Sequence, residues 1–178
     1  MTVVDTGLNS MTGGRLARVK PFLAGEDHFC FTYGDGVSDV DIRQLIDFHL
    51  EHGKLGTVTA VKPPARFGAL DVDGNAAVNG FIEKPLGEGG WINGGYFVLS
   101  TKCLDLVTKD SDVWEQAPLE TLARDSQLNA FLHEGFWCPM DTLRDKRTLE
   151  DRWNKGNAPW ARWLGETGDG HADDTGRD

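Results

Sequence analysis

Asp35 is the residue whose sequence context points most directly to chemistry. It lies in a Gly-Asp-Gly turn that abruptly ends the apolar, aromatic run beginning at Phe29. This pattern predicts a buried strand that delivers one carboxylate to its C-terminal end, where open α/β sheets bind their ligands. The two glycines leave room for a bulky ligand, and a carboxylate suits a hard divalent cation that carries phosphates. The alternative is an ordinary turn aspartate before a helix capped by Ser38 or Asp39.

Asp141 is the natural second carboxylate for such a cation. It follows residues 136–140, which are predicted to form a short strand, and it precedes a predicted helix that runs to Lys155. Because both aspartates then follow strands, they could share one metal ion. The alternative is that Asp141 or Thr142 simply caps the helix.

Two motifs between these aspartates suit a phosphorylated sugar. Glu83 and Lys84 end a predicted strand, where they could hold a sugar hydroxyl and a phosphate oxygen, respectively. Asn93, followed by Gly94 and a second glycine, would let the backbone approach a flat polar ligand while the amide hydrogen-bonds to it. A surface ion pair and a β-bulge are the corresponding alternatives.

A glycine-rich loop near the start of the sequence could bind an anion. Residues 7–14 are rich in glycine and small polar residues, and the helix predicted after them carries Arg15 in its first turn. Backbone N–H groups at the start of a helix bind anions readily. Ordinary loop-to-helix joins share this pattern, so the motif alone is weakly specific.

Strand and helix patterns alternate along the chain. Further strands are predicted at 2–6, 57–61 and 128–134, a hairpin at 67–72 and 77–83, and helices at 15–20, 39–52, 102–107 and 115–124. The helix at 39–52 carries His49 and His52 one turn apart, which we interpret as solvated rather than metal-binding.

The composition excludes several classes of partner. The chain has 178 residues, enough for one domain, and a formal net charge of −10. So acidic a surface argues against nucleic acid or an anionic membrane as the main partner. The sequence shows no signal-peptide or transmembrane pattern, and its three cysteines lack metal-ligand spacing. We therefore expect a soluble cytoplasmic protein with free core thiols.

The end of the chain differs in composition from the rest. Residues 165–178 are acidic and almost devoid of apolar side chains, which predicts a disordered tail after a folded domain at 1–164. The tryptophan-rich segment at 158–163 is expected to dock on the core or on a subunit interface.

Four motifs together carry a family resemblance. In chain order, they are Gly34-Asp35-Gly36, Phe81-Ile82-Glu83-Lys84-Pro85, Asn93-Gly94-Gly95 and Asp141-Thr142. They resemble motifs of the sugar-phosphate nucleotidylyltransferases. Longer stretches at 4–7, 10–15, 63–71 and 140–146 are similar to the glucose-1-phosphate cytidylyltransferases within that family.

The resemblance implies a Rossmann-like, three-layer α/β nucleotidylyltransferase fold with a mixed, mostly parallel sheet and a small β-hairpin insertion. It also implies nucleotidylyl transfer from CTP to α-D-glucose 1-phosphate, which gives CDP-glucose and pyrophosphate for dideoxysugar and O-antigen polysaccharide biosynthesis. Mg²⁺ is the implied cofactor, and a homo-oligomer is the implied assembly. The implied roles are metal binding by Asp35 and Asp141, nucleotide binding by Ser10, Arg15 and Gly34, sugar-phosphate binding by Glu83, Lys84, Asn93 and Gly94, and catalysis by Asp35, Lys84 and Asp141.

One family feature is absent from the sequence. The family opens with a strand and a G-G-x-G-T-R loop that is followed by a Lys-Pro pair, and this sequence contains no such segment. We therefore expect an N-terminally truncated version of the fold, whose activity alone is in question. Two other functions stay open: a non-catalytic nucleotide- or sugar-phosphate-binding remnant, and a metal-dependent glycosyltransferase of related fold that uses Asp35 and Asp39 as its metal ligands.

Overall fold

The computed structural model of the chain describes residues 1–62, 69–72, 78–82 and 90–164. The predicted sugar-phosphate residues Glu83 and Lys84 and the predicted tail lie outside the described residues. The chain divides into two compact units. We name them the sheet unit (residues 1–34 and 41–134) and the ribbon unit (residues 35–40 and 135–178). The domain boundary at residue 164 stays a prediction.

Strands and helices alternate along the chain, as the sequence predicts. The strands are β1 (His28–Thr32), β2 (Gly36–Ser38), β3 (Gly56–Val61), β4 (Ala69–Val72), β5 (Val78–Ile82), β6 (Ile92–Ser100), β7 (Leu128–His133) and β8 (Trp137–Pro139). The α-helices are α1 (Thr12–Val19), α2 (Ile42–His52), α3 (Ala117–Arg124) and α4 (Leu143–Asn154). Short 3-10 helices span Lys20–Leu23, Thr101–Leu106 and Arg162–Leu164. Within the described residues, no helix combines the length and the apolar character needed to cross a membrane.

The sheet unit is built on a four-stranded sheet with the order β1-β6-β3-β7. β6 is antiparallel to both β1 and β3, whereas β7 is parallel to β3. β1, β3 and β7 therefore run in one direction, which confirms the predicted mixed sheet, and β3–β7 is the parallel pair among its three strand pairs. β4 and β5 form a separate antiparallel pair, which is the predicted hairpin insertion.

The core of the sheet unit lies against the central strand β6. It combines side chains from β6 with others from α1, α3 and the segments beside them: Leu16, Phe97, Leu99, Cys103, Leu104, Trp114 and Leu122. Trp114 is the largest of the fully buried side chains. Burying side chains of this size supplies the main favourable free energy that offsets the ordering of the chain.

Helix α2 is terminated by residues with well-defined capping roles. The Asp41 carboxylate accepts a hydrogen bond from the Gln44 N–H (3.1 Å), so Asp41 caps the N-terminus of the helix. The prediction that Ser38 or Asp39 caps this helix is therefore wrong. At the other end, Gly53 adopts φ = +65°, a left-handed conformation that glycine reaches without a Cβ clash.

Two strand predictions need correction. Residues 2–6 form no strand, because strand patterning is realised only when a neighbouring strand is available to pair with it. β1 forms as predicted but is not buried, because it is an edge strand of the four-stranded sheet and its residues alternate between exposed and half-buried. Consequently the free thiol of Cys30 is exposed, and of the predicted core thiols only Cys103 is buried.

The ribbon unit takes its name from the antiparallel pair β2–β8, in which Gly36 lies opposite Pro139. Helix α4 follows, and its start is fixed by a capping box in which Thr142 and Asp145 satisfy each other's backbone N–H groups. The ring of Trp160 packs on that of Phe136 with centroids 5.3 Å apart. This contact confirms that the tryptophan-rich segment docks on the fold.

Candidate functional site

The ribbon unit holds both predicted metal-binding carboxylates at the same end of its two strands. Asp35 directly precedes β2, and Asp141 lies two residues after β8. The Met140 N–H donates to the Asp35 carbonyl oxygen (2.7 Å), so the pairing continues past the strand ends towards the two aspartates. Both side chains are exposed, and carboxylate oxygens of this kind are the ligands that Mg²⁺ prefers.

The structure matches part of the alternative roles of these aspartates, because Asp35 lies in a turn and Thr142 caps α4. Thr142, not Asp141, is the residue that caps α4. Asp39, the second carboxylate of the glycosyltransferase alternative, follows β2 whereas Asp35 precedes it. Four residues of extended chain span about 13 Å. Asp35 and Asp39 are therefore too far apart along the strand to form a shared metal site.

The glycine-rich loop does not form the predicted anion cradle with helix N–H groups. The N–H groups of Gly13 and Gly14 already donate to the Asp112 carbonyl oxygen at 3.0 and 3.3 Å. A Cβ at Gly13 would lie 2.7 Å from that same oxygen. These glycines are therefore needed for close packing of α1 against residues 110–112, not for contact with a phosphate.

Ser10 and Arg15 nevertheless lie around the start of α1, as predicted. Ser10 is buried just before the helix, and Arg15 is exposed in its first turn. The Arg15 guanidinium donates to the Thr6 hydroxyl (2.7 Å) and more weakly to the Leu8 carbonyl (3.4 Å). In this conformation Arg15 orders the preceding loop.

Gly34 and Asn93 keep the surroundings expected of ligand-contacting groups. Among the described residues, no atom lies within 4 Å of the position that a Cβ would take at Gly34, so the backbone there is open to that part of the chain. Asn93 is exposed, and its Oδ1 accepts the Gly95 N–H at 2.8 Å. The second lone pair of Oδ1 can accept a further hydrogen bond, and Nδ2 carries two hydrogens that it can donate.

Gly94 has a structural explanation instead. The register between β3 and β6 shifts by two residues between Val58 and Ala60, which makes a β-bulge around the glycines of β6. A Cβ at Gly94 would lie 2.8 Å from the Val61 side chain. Gly94 therefore permits β6 to approach β3, and the β-bulge alternative is confirmed.

The structure joins Asn93 to two residues for which the sequence assigned no role. Asn93 Nδ2 donates to the Tyr33 hydroxyl (3.4 Å), and that hydroxyl donates to the Glu115 carboxylate. The second oxygen of Glu115 accepts from the Thr12 hydroxyl (2.8 Å). Glu115 is separated by 103 residues from Thr12 and by 82 from Tyr33, so local patterning carries no signal for these contacts. The one sequence hint is a carboxylate placed directly after the buried Trp114.

A second polar cluster in the sheet unit corrects the interpretation of the α2 histidines. His49 is fully buried, and burial, together with the neighbouring His28 and His52, lowers its pKa to about 4. It hydrogen-bonds through one ring nitrogen to Thr57 and through the other to His28, each at 2.9 Å. The prediction that His49 is solvated is wrong. His49 is buried because it follows Leu45 by four residues and so shares the buried face of the helix.

A cleft of about 290 Å³ opens beside this cluster, and Lys54 and Lys102 are among the residues that line it. Of the predicted site residues that the structure describes, none lines this cleft. Among the described residues, no group of three or more His, Cys, Asp or Glu side chains is arranged to hold a metal ion.

Comparison with known protein families shows which family the chain belongs to. The model of the nucleotidyl transferase family matches residues 12–142, which is most of the sequence. The chain belongs to the nucleotidyl transferase family. Its fold is also similar to that of a solved structure: apo-UDP-glucose pyrophosphorylase superposes with a TM-score of 0.62 at 12% identity, covering 87% of this chain and 64% of that one.

Two relatives in the nucleotidyl transferase family share substantial sequence identity. The glucose-1-phosphate cytidylyltransferase of Salmonella typhi is 56% identical over 163 residues, which is 92% of this chain and 63% of the relative. The probable glucose-1-phosphate cytidylyltransferase of Bacillus subtilis is 37% identical over 164 residues, with the same coverage. This nucleotidyl transferase chain thus spans 63% of the length of these relatives.

Proposed function

We propose that this chain takes part in nucleotidylyl transfer from CTP to α-D-glucose 1-phosphate, which yields CDP-glucose and pyrophosphate. A phosphate oxygen of the sugar phosphate attacks the α-phosphorus of CTP, a new O–P bond forms, and the bond to pyrophosphate breaks. The CDP-glucose product would feed dideoxysugar and O-antigen polysaccharide synthesis. The observation that carries the proposal is the 56% identity over 163 residues to a glucose-1-phosphate cytidylyltransferase.

The ribbon unit supports the choice of cofactor. Asp35 and Asp141 are exposed at one end of β2 and β8, and a pair of carboxylates completed by substrate phosphates is the usual environment of Mg²⁺. We infer that these two residues hold Mg²⁺, which neutralises charge on the reacting phosphates when bound. The chain's own residues would then supply orientation and further positive charge.

The remaining roles follow the family resemblance. The open backbone at Gly34, with Ser10 and Arg15, would contact the nucleotide. Lys84 would neutralise the sugar phosphate and Glu83 would bind the sugar, but both lie outside the described residues. Asn93 is exposed and would present its amide to the sugar. An assembly of several identical chains stays a prediction.

The test is pyrophosphate release from CTP and glucose 1-phosphate in the presence of Mg²⁺ by the purified chain. Asp35→Ala and Asp141→Ala should each lower the rate by about a hundredfold or more, because each removes a charged metal ligand. Asp151→Ala is the matched control, since Asp151 is an exposed carboxylate on α4 of the same ribbon unit and should leave the rate within about twofold.

The outcomes separate the proposed activity from the binding function. Turnover that is lost in both site variants and kept in the control supports nucleotidylyl transfer. Binding of CTP and glucose 1-phosphate by calorimetry without turnover, in a chain with a cooperative thermal transition, would support the binding remnant instead. Turnover that survives both substitutions would overturn the assignment of the carboxylates.

A further inference from the structure

A continuous series of hydrogen bonds crosses the sheet unit from the start of α1 to the bulge in β6. In order, its members are the Trp114 N–H, Thr12, Glu115, Tyr33, Asn93 and the Gly95 N–H. We name this series the Glu115 relay. It links four segments that are far apart in sequence, and it includes the Asn93 side chain, which the proposed function places beside the sugar.

The direction of each hydrogen bond in the Glu115 relay follows from which groups can donate. The Gly95 N–H is a donor, so the Asn93 atom that faces it is Oδ1, and Nδ2 must therefore face Tyr33. Since Nδ2 donates, the Tyr33 oxygen accepts, and its hydrogen points to the Glu115 carboxylate. The Trp114 N–H likewise makes the Thr12 oxygen an acceptor, so the Thr12 hydrogen also points to Glu115.

Glu115 is therefore the common acceptor that sets the direction on both sides. It is half-buried, and within the described part of the chain its partners are two neutral hydroxyls and not a cation. A carboxylate can accept from both hydroxyls, whereas a neutral amide has one acceptor oxygen. If Glu115 accepted from Thr12 only, the Tyr33 hydroxyl hydrogen could turn towards Asn93. The Asn93 amide would then be favoured in the opposite orientation, with Oδ1 facing Tyr33.

Tyr33 is held in place by packing as well as by hydrogen bonds. Its ring contacts Phe31 and Phe97 edge to face, with centroids 5.5 and 5.9 Å away. Its N–H donates to the Gly95 carbonyl oxygen at 3.1 Å, which joins the residue to the bulge. The hydroxyl of Tyr33 that accepts from Asn93 is thus held in position by the packing of the ring and by the hydrogen bond of the Tyr33 backbone.

We propose that Tyr33 and Glu115 are positioning residues that fix the Asn93 side-chain amide in one orientation for the sugar phosphate. The inference rests on the proposed function, because that function places Asn93 on the sugar side. Tyr33 and Glu115 act through Asn93 and need not touch the substrate. The orientation leaves the outer faces of Oδ1 and Nδ2 to meet sugar hydroxyls.

The first test measures glucose 1-phosphate affinity by calorimetry and, where turnover is present, by KM. Tyr33→Phe and Glu115→Gln should each weaken affinity for glucose 1-phosphate about three- to tenfold, the range that one lost hydrogen bond produces, and leave CTP affinity within about twofold. Glu120→Gln, on an exposed position of α3, is the matched carboxylate control and should change neither affinity.

The second test asks whether the effect passes through Asn93. In an Asn93→Ala background, Tyr33→Phe should weaken glucose 1-phosphate binding by less than about twofold, because residues acting through one contact are not additive. If Tyr33→Phe instead weakens binding equally with and without Asn93, Tyr33 has a merely structural role and the inference is overturned.

A spectroscopic readout separates this inference from the proposed function. The Asn93 side-chain amide signal in a proton–nitrogen correlation NMR spectrum should move in Tyr33→Phe and Glu115→Gln and stay in place in Glu120→Gln. If the unsubstituted chain binds no sugar phosphate, the proposed function fails and the role of the relay in binding fails with it. The amide signal still reports whether Tyr33 and Glu115 orient Asn93, and an unchanged signal in both variants would exclude it.

Discussion

The two ends of strand β1 carry hydrogen-bond series of opposite character. Beyond its C-terminal end, Tyr33 belongs to the Glu115 relay, whose hydroxyl and amide donors converge on a carboxylate. At its first residue, His28 belongs to a second series that runs through His49, Thr57 and His52. We name this second series the imidazole relay. Both lie within the sheet unit, and both tie β1 to distant segments.

The donors of the imidazole relay also follow one direction. The Lys54 N–H donates to His52 Nδ1 (3.0 Å), so His52 donates through Nε2 to the Thr57 hydroxyl (2.7 Å). Thr57 then donates to His49 Nδ1, and His49 Nε2 donates to His28 Nδ1. Each imidazole thus accepts through Nδ1. A proton added to any Nδ1 would face another donor and break a hydrogen bond.

The difference between the relays lies in their response to protons. The Glu115 relay is built from hydroxyl, amide and carboxylate groups, whereas the imidazole relay contains His49 and His52, whose pKa values are lowered by burial. We therefore expect the imidazole relay to control how stability varies with pH, and the Glu115 relay to control the geometry of Asn93.

Acidification should give the largest effect. Burial lowers the His49 pKa to about 4, from an ordinary value of 6.5 in the unfolded chain, and burial also lowers the pKa of His52. Between these two pH values the unfolded chain binds more protons than the folded one, so stability falls as the pH falls. The His49 shift alone corresponds to about 3 kcal/mol lost from pH 7.5 to pH 4, measured by urea unfolding at a series of pH values.

Two histidine variants sharpen the attribution to His49. His49→Gln removes the titrating ring but keeps an amide donor for His28, so the stability curve should lose most of its slope between pH 6.5 and pH 4. His133→Gln, on β7 and outside the imidazole relay, should keep the slope. The titratable groups beside His49 are His28 from β1 and His52 from α2. A slope that is retained in His49→Gln would mean that these groups, and not His49, produce the pH dependence.

A pair of glycine substitutions should give the next largest effect. Gly95 has φ = +80° and Gly53 has φ = +65°, so alanine is strained at both. In the described part of the chain, a Cβ at Gly53 would meet no atom within 4 Å, whereas one at Gly95 would lie 2.7 Å from the Tyr33 ring. We expect Gly53→Ala to lower the free energy of unfolding by about 1 kcal/mol and Gly95→Ala by about 2–3 kcal/mol, measured in urea.

This glycine pair separates backbone strain from crowding. The two substitutions share the backbone strain, and their difference reports the displacement of Tyr33. Equal losses in the two variants would mean that the Tyr33 ring moves aside without resistance, and that its position at the bulge is not fixed by packing.

The elements around both relays were largely predictable from the sequence, but the relays themselves were not. Local patterns indicate the strand before Gly34, the helix that follows Asp141 and the hairpin insertion, because turn residues and apolar periodicity act within a few positions. The pairing of Tyr33 with Glu115 joins residues 82 positions apart and depends on how the sheet is assembled. Such contacts have no local signature.

Two wrong predictions differ in whether the sequence contained a signal that could have corrected them. The buried position of His49 could have been inferred from its spacing to Leu45, since residues four apart share a helix face. The glycines before Arg15 carry no comparable signal, because close packing against a carbonyl and room for a phosphate require the same residue type. Only the tertiary contact of Gly13 with Asp112 decides between them.

The smallest expected effect, and the most direct contrast between the relays, comes from Tyr33→Phe. The substitution keeps the ring contacts with Phe31 and Phe97 and removes only the hydroxyl, so we expect it to lower the free energy of unfolding by about 1 kcal/mol at every pH from 7.5 to 4.5. Its stability curve should therefore run parallel to that of the unsubstituted chain in urea unfolding. A change in slope would show that the two ends of β1 are coupled, and that the Glu115 relay and the imidazole relay do not act separately.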